Sequence, residues 1–254
     1  MRAITFNGFN LQTSVYRSLG FTGLDDQQNV MNDEAMRSIS NGRYFREKKF
    51  DSRTIVVRMV ICGDSIDDLE QKNDEMKAVI FQGVKGSLDI FYAGATRRWV
   101  ATVENVKPIR WRGSTREYEI EFRSESFGLD PEQVVLTVSD MTTEVVEQQI
   151  TVLGTYQAQP IYRFTINEST GMTRITVRNL TNNRTVIANA NYTGVTELVI
   201  DTRSGSEFIE ADGVGLFPDG KYPWLEVGLN DLEFEFTSTS HDIDVDIQYN
   251  KRYL

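Results

Sequence analysis

Between Ser65 and Ile80 this sequence carries its one convincing helical repeat, while most of its other apolar residues alternate with polar ones. In the repeat, Ile66, Leu69, Met76 and Ile80 fall on one stripe at 100° per residue, and Asp67, Glu70, Asp74 and Lys77 face away. Ser65 with Asp68 three residues on supplies a capping pair. A chain with one amphipathic helix and many short alternating segments must build its core from antiparallel sheets, with the helix covering one of them. The fold class expected is therefore mainly β: an α+β first domain and an all-β second.

Turn residues divide the segments. Asn7-Gly8 lies between short alternating runs, and both residues tolerate positive φ, as a tight hairpin requires. Gly94 joins "GSLDIFY" to "RRWVATV", and Gly113-Ser114 suits a two-residue turn between "VKPIRWR" and "TREYEIEF". Pro108 cannot donate to a ladder, so its strand lies at an edge or bulges there. From Arg17 to Asp51 the sequence is polar with no sustained period and reads as a long loop or as an arm that orders on a partner. Gly128 and Pro131 punctuate the exit from this half. From about Val145 onward the segments "PIYRFTI", "TRITVRN", "RTVIANA", "TELVID", "DLEFEFTS" and "DIDVDIQY" are short, rich in β-branched and aromatic residues and uninterrupted by a helical stripe, which favours a two-sheet sandwich. The domains expected are 1–127, a linker at 128–144, and 145–254.

Charge divides the chain at the same place. Residues 1–127 hold 19 Lys and Arg against 18 Asp and Glu, whereas residues 128–254 hold 8 against 19. A half with a net charge of −11 repels phosphate backbones and anionic lipid, so neither nucleic acid nor a membrane surface is expected as its partner. No apolar run approaches the roughly 20 residues that span a bilayer, and no signal peptide is expected from "MRAITFNGFN". With Cys62 as the single cysteine there is no intrachain disulfide, in keeping with folding in a reducing compartment.

Catalytic and ligand motifs fail for stated reasons. "CGDSIDD" has the order of a phosphate-binding turn but only Gly63, and Asp64, Asp67 and Asp68 crowd the helix start where an anion would sit. "GLFPDGKY" has the spacing of a phosphate loop, yet Tyr222 stands where Ser or Thr would hold magnesium, and Pro223 prevents the helix that should follow. His241 is the sole histidine, read as a surface residue at a strand entrance. Asp242, Asp244 and Asp246 share a strand face, which reads as a solvated outer face rather than a calcium ladder. Tyr192, Tyr222 and Trp224 could stack on a sugar, but such aromatics more often pack. Neither an enzyme nor a cofactor or metal is expected.

The hairpin "ITFNGFN", the unit "TIVVRMVICGDSIDDLEQKNDEMKAVI", the run "GSLDIFYAGATRRWVATVENV", the exit "EFRSESFGLDPEQ" and the late "YPWLEVGLNDLEFEF" occur in an order that resembles the distal tail proteins, or phage tail components, of long-tailed (siphovirus-type) bacteriophages. The resemblance covers nearly the whole chain. It implies a structural virion protein made in the bacterial cytoplasm, whose first domain forms a six-membered ring joining the tail tube to the tail tip or baseplate. Its second domain, galectin-like or related, would project outward. The near-neutral half then suits side-by-side packing and the acidic half the outside. The expected partners are further copies of the chain, a tail tube protein and a tail-tip or baseplate protein. Residues 17–53 become an arm with Tyr44, Phe45 and Phe50 as candidate subunit contacts. The alternative is a carbohydrate-binding module at the tail tip.

Overall fold

The computed structural model describes residues 4–24, 30–36, 43–50, 52–81, 85–92 and 94–253, with the backbone alone described for 30–36 and 43–50. The chain divides into two compact units, Met1–Gly128 and Leu129–Leu254.

In the first unit the order is β1 (Ile4–Phe6), β2 (Phe9–Asn10), β3 (Tyr16–Thr22), β4 (Val30–Met36), β5 (Arg43–Phe50), β6 (Arg53–Cys62), α1 (Ile66–Phe81), β7 (Gly86–Tyr92), β8 (Ala95–Arg112) and β9 (Thr115–Ser124). Antiparallel pairing runs β2-β1-β7-β8-β9-β6-β3. Asn7 and Gly8 both take positive φ and join Phe6 to its partner Phe9, and Gly113-Ser114 joins Arg112 to Thr115. Strand β8 pairs with β7 through Ala101 and with β9 from Ala101 on, and its register with β9 shifts between Pro108 and Arg110, the bulge its proline requires. Strand β6 alternates without a break, burying Ile55, Val57, Met59 and Ile61 in one core with Leu69, Met76 and Ile80 of α1 and Tyr118, Ile120 and Phe122 of β9.

Two expectations for this unit need correction. Ile66 does not join the buried stripe; it is exposed in the first turn of the helix, and Asn73 takes the fourth buried position. A polar residue is tolerated there because the Tyr118 hydroxyl donates to Asn73 Oδ1 at 2.5 Å. Nor is the 17–51 segment a loop throughout. β3 pairs with β6, and β4 pairs with β5 in a two-stranded antiparallel ribbon. Alternation is weak in these strands because an edge or an isolated ribbon has no continuous core to bury one face against.

In the second unit the order is β10 (Gly128–Met141), β11 (Val145–Val152), β12 (Ile161–Thr170), β13 (Arg174–Asn179), β14 (Arg184–Asn189), β15 (Glu197–Asp201), β16 (Phe208–Ala211), β17 (Val214–Leu216), β18 (Pro218–Gly220), β19 (Gly228–Thr237) and β20 (Ser240–Tyr253). One sheet runs β10-β20-β12-β15-β16-β17 and the other β11-β19-β13-β14-β18. The two bury a common core in which Phe164 of the first sheet meets Phe234 of the second at 5.9 Å between ring centroids. Much of the stretch read as a linker is strand β10, tied to β20 by Thr137 Oγ1 donating to Asp246 at 2.5 Å and by Asp140 N donating to Asp244 at 2.9 Å.

Strands β16 and β17 are joined by Asp212-Gly213, both at positive φ. The Asp212 carboxylate accepts from Glu197 N at 2.9 Å, Thr196 N at 3.2 Å and Thr196 Oγ1 at 2.9 Å, and the two backbone donors chiefly hold its pKa below the ordinary 3.8. The folded pKa being the lower one, this stabilisation is complete above the unfolded value and is lost as pH falls through the folded one. Asp212→Asn should therefore melt below wild type at neutral pH, and the gap should close as the pH is taken under 3.8. Calorimetry across that range checks it.

Candidate assembly surfaces

The helix cap explains what the Gly63 turn does. Asp68 N donates to Ser65 Oγ at 3.1 Å, and Asp64 N donates to the Asp68 carboxylate at 2.7 Å. Lys72 bonds Asp68 at 2.6 Å; this bond and the Asp64 amide hold the carboxyl below its usual range. Two of the donors a phosphate would use, Asp64 N and Asp68 N, are thus occupied, and the Asp68 carboxylate stands where the anion would lie. Gly63 N itself donates to Ser114 O in the β8–β9 turn at 2.8 Å, fixing the start of the helix to the tip of the hairpin.

Along its length α1 is tied to the same hairpin by Arg116. Its guanidinium bonds Glu70 of α1 at 2.6 Å, donates to the Tyr118 hydroxyl at 3.2 Å, and lies over the Trp111 ring at 4.4 Å from the centroid. The Tyr118 hydroxyl and Glu70 raise its pKa further, against a smaller opposing effect of burial. Trp111 Nε1 donates to Gly113 O at 2.8 Å. The indole is thereby fixed, yet 59% of its surface stays exposed, as does 62% of Phe81 at the helix end and 47% of Ile109 at the bulge. These three border a groove of about 590 Å³ that also touches Lys77, Arg110 and Arg116. A fixed, exposed tryptophan beside two further apolar side chains is the composition of an interface anchor rather than of a solvated surface.

On β9 the residues alternate faces, so Arg116 and Tyr118 line this groove while Glu117 and Glu119 line another. The second groove, of about 560 Å³, is bordered by Leu19, Gly20, Phe21, Thr22, Val56 and Arg58. Leu19 is 60% exposed, and Arg58 pairs with Glu119 at 3.0 Å. Neither groove was legible beforehand, because an apolar residue in a strand reads as core.

The residues singled out for chemistry are elsewhere engaged. His241 is buried, not at the surface: Phe236 lies 4.8 Å away, Nδ1 is 2.6 Å from Ser238 Oγ and Nε2 is 3.1 Å from Thr143 O. Asp242, Asp244 and Asp246 do share one face, where Asp244 and Asp246 accept the bonds from β10, and Asn167 Nδ2 also donates to Asp244. Among the described residues no group of three His, Cys, Asp or Glu is arranged to hold a metal. Tyr192 lies in the core with its hydroxyl on Ala188 O, Tyr222 packs partly buried against the same core, and the Arg184 guanidinium covers the Trp224 ring at 3.0 Å. Lys221 follows strand β18 and donates to Thr185 O, with no helix after it. Tyr44, Phe45 and Phe50 are on β5 of the ribbon, and their side chains lie outside the described residues.

Comparison with known proteins gives two family matches. Residues 9–124 match the phage tail protein RIFT-related domain, and residues 153–253 match the siphovirus-type tail component, C-terminal domain. Among solved structures, the chain is similar to the SPP1 Dit (gp 19.1) protein, described as a paradigm of the hub adsorption apparatus in phages infecting Gram-positive bacteria, at a TM-score of 0.69 and 12% identity over 100% of both chains. It is also similar to a chain of the phage p2 baseplate in its activated conformation with Sr, at a TM-score of 0.52 and 11% identity over 97% of this chain and 98% of that one. No curated protein sequence matches.

Proposed function

We propose, from the premise that this chain belongs to the siphovirus-type tail components, that it is the distal tail hub of a long-tailed phage and that its copies close into a six-membered ring. The carrying observation is the order of the two family domains along one chain whose fold follows SPP1 Dit from end to end. The ring joins the tail tube to the tail tip or baseplate in the virion, after synthesis in the host cytoplasm. Residues 1–127 form the ring and residues 145–254 project from it, an arrangement supported by the near-neutral charge of the first stretch and the acidity of the second, which would repel itself in a ring. The role is architectural, without catalysis.

The ribbon is the arm of this assembly. Among the described residues β4 and β5 pair only with each other, and a lone two-stranded ribbon is marginally stable in water, so it gains order by lying against a neighbouring copy. Light scattering of the purified protein should give six times the 29.0 kDa chain mass. Replacing residues 30–50 by a short glycine–serine linker spares β3 and β6 and should dissolve the hexamer. A shortened chain that still scatters as a ring removes the arm from the assembly, and a wild-type monomer at every concentration overturns the ring itself.

A further inference from the structure

The two grooves of the first unit differ in sign as well as in position. The groove holding Phe81, Ile109 and Trp111 is bordered by the cations Lys77, Arg110 and Arg116; Arg116 is paired with Glu70 of α1, and Lys77 and Arg110 give the groove its positive charge. The groove holding Leu19 and Phe21 is bordered by Glu117 and Glu119 against the single cation Arg58. Two copies meeting through the first groove alone would set Lys77 and Arg110 against the same two cations of the other copy, which charge repulsion disfavours. Meeting one groove to the other joins apolar surface to apolar surface and cations to carboxylates.

Their placement adds a directional argument. Successive residues of β9 supply the two grooves in turn, Arg116 and Tyr118 to one and Glu117 and Glu119 to the other, so the grooves open on opposite faces of one strand. A subunit with complementary surfaces on opposite faces cannot satisfy both in a two-fold dimer. It must pass each surface to a different neighbour, and a chain of such contacts ends only by closing.

We infer that the Trp111 groove of one copy receives the Leu19 and Glu117 groove of the next, head to tail around the ring. This rests on the ring reading given above. Trp111 is the anchor because its bond to Gly113 O and its stacking with Arg116 have already fixed the side chain, so little freedom is lost on docking. Leu19, Glu117 and Glu119 form the receiving surface.

The test uses two full-length variants, each damaged on one face only: Trp111→Ser and Leu19→Asp. Both positions are more than half exposed, so folding should be retained, which circular dichroism and melting check. Should either variant fold poorly, Phe81→Ser or Glu117→Lys takes its place. Each variant alone should lose at least about thirty-fold in self-association and run as a monomer. An equimolar mixture should give a dimer and nothing larger, because one intact groove of each kind remains and the outer faces are both damaged. Hexamers from either variant alone, or a mixture that stays monomeric, overturn the head-to-tail assignment while leaving the ring intact. A wild-type monomer in the same measurement instead removes the ring.

Discussion

Asn230→Ala is expected to destabilise the second unit by about 3 kcal/mol, the net worth of several buried hydrogen bonds lost together. Asn230 is fully buried, and its amide uses its full capacity. Nδ2 donates to Glu226 O at 2.8 Å and Gly228 O at 3.1 Å, while Oδ1 accepts from Glu226 N at 2.8 Å and Asn179 Nδ2 at 3.0 Å. Asn179 Nδ2 in turn donates to Trp224 O at 2.7 Å, and Trp224 Nε1 donates to Glu226 at 2.5 Å. The irregular "YPWLEVG" segment thus leads into β19 through side-chain amides, since it has no continuous ladder of its own. Asn230→Asp should be no milder, because a carboxylate oxygen would then face two carbonyls. Leu229→Ala, on the exposed side of the same strand, should change stability by less than about 0.5 kcal/mol. Denaturant unfolding of the full chain, followed by tryptophan fluorescence, separates the three. An alanine variant as stable as wild type would mean that water or a rearranged loop replaces the network at little cost.

Gly63→Ala should cost about 2 to 4 kcal/mol, as overpacking against immovable backbone does. A β-carbon at this position would stand 2.6 Å from Leu69 N and 2.8 Å from Leu69 Cα and Cβ. Leu69 is fully buried, so the first turn of α1 would have to lift off the sheet. Gly113→Ala is the comparison: its φ is +58° but nothing lies within 4 Å, so only backbone strain of about 1 kcal/mol is expected. If the two substitutions melt alike, close packing is not the reason for glycine at 63.

That glycine shows what the sequence could disclose. The turns at Asn7-Gly8 and Gly113-Ser114, the Ser65 cap and the alternation of Leu232, Phe234 and Phe236 against Glu233 and Glu235 were legible because each depends on neighbours in sequence. The crowding of Gly63 against Leu69 depends on the path of the turn in space, and the burial of Asn73 and the enclosure of His241 depend on partners far along the chain, Tyr118 and Thr143. Strand β10 was not legible because Gly128 and Pro131 at its start read as punctuation, although Val134, Leu136 and Val138 beyond them pack on the core and alternate with the exposed Val135, Thr137 and Ser139. The ribbon was not legible because, among the described residues, its two strands pair only with each other, and such a pair needs no alternating apolar face. Trp111, Ile109 and Phe81 could not be recognised as surface from their type; only the bulge at Pro108 and the end of the helix leave them uncovered.

Arg116 holds a residue of the helix, a residue of the core and the exposed indole at the same time. A disturbance at any one of these points is therefore shared by the other two, and the rim of the groove has no independent motion to lose. Weakening Glu70 should loosen the indole before it loosens the fold, so the acidic side of the helix governs how firmly the rim of the groove is held.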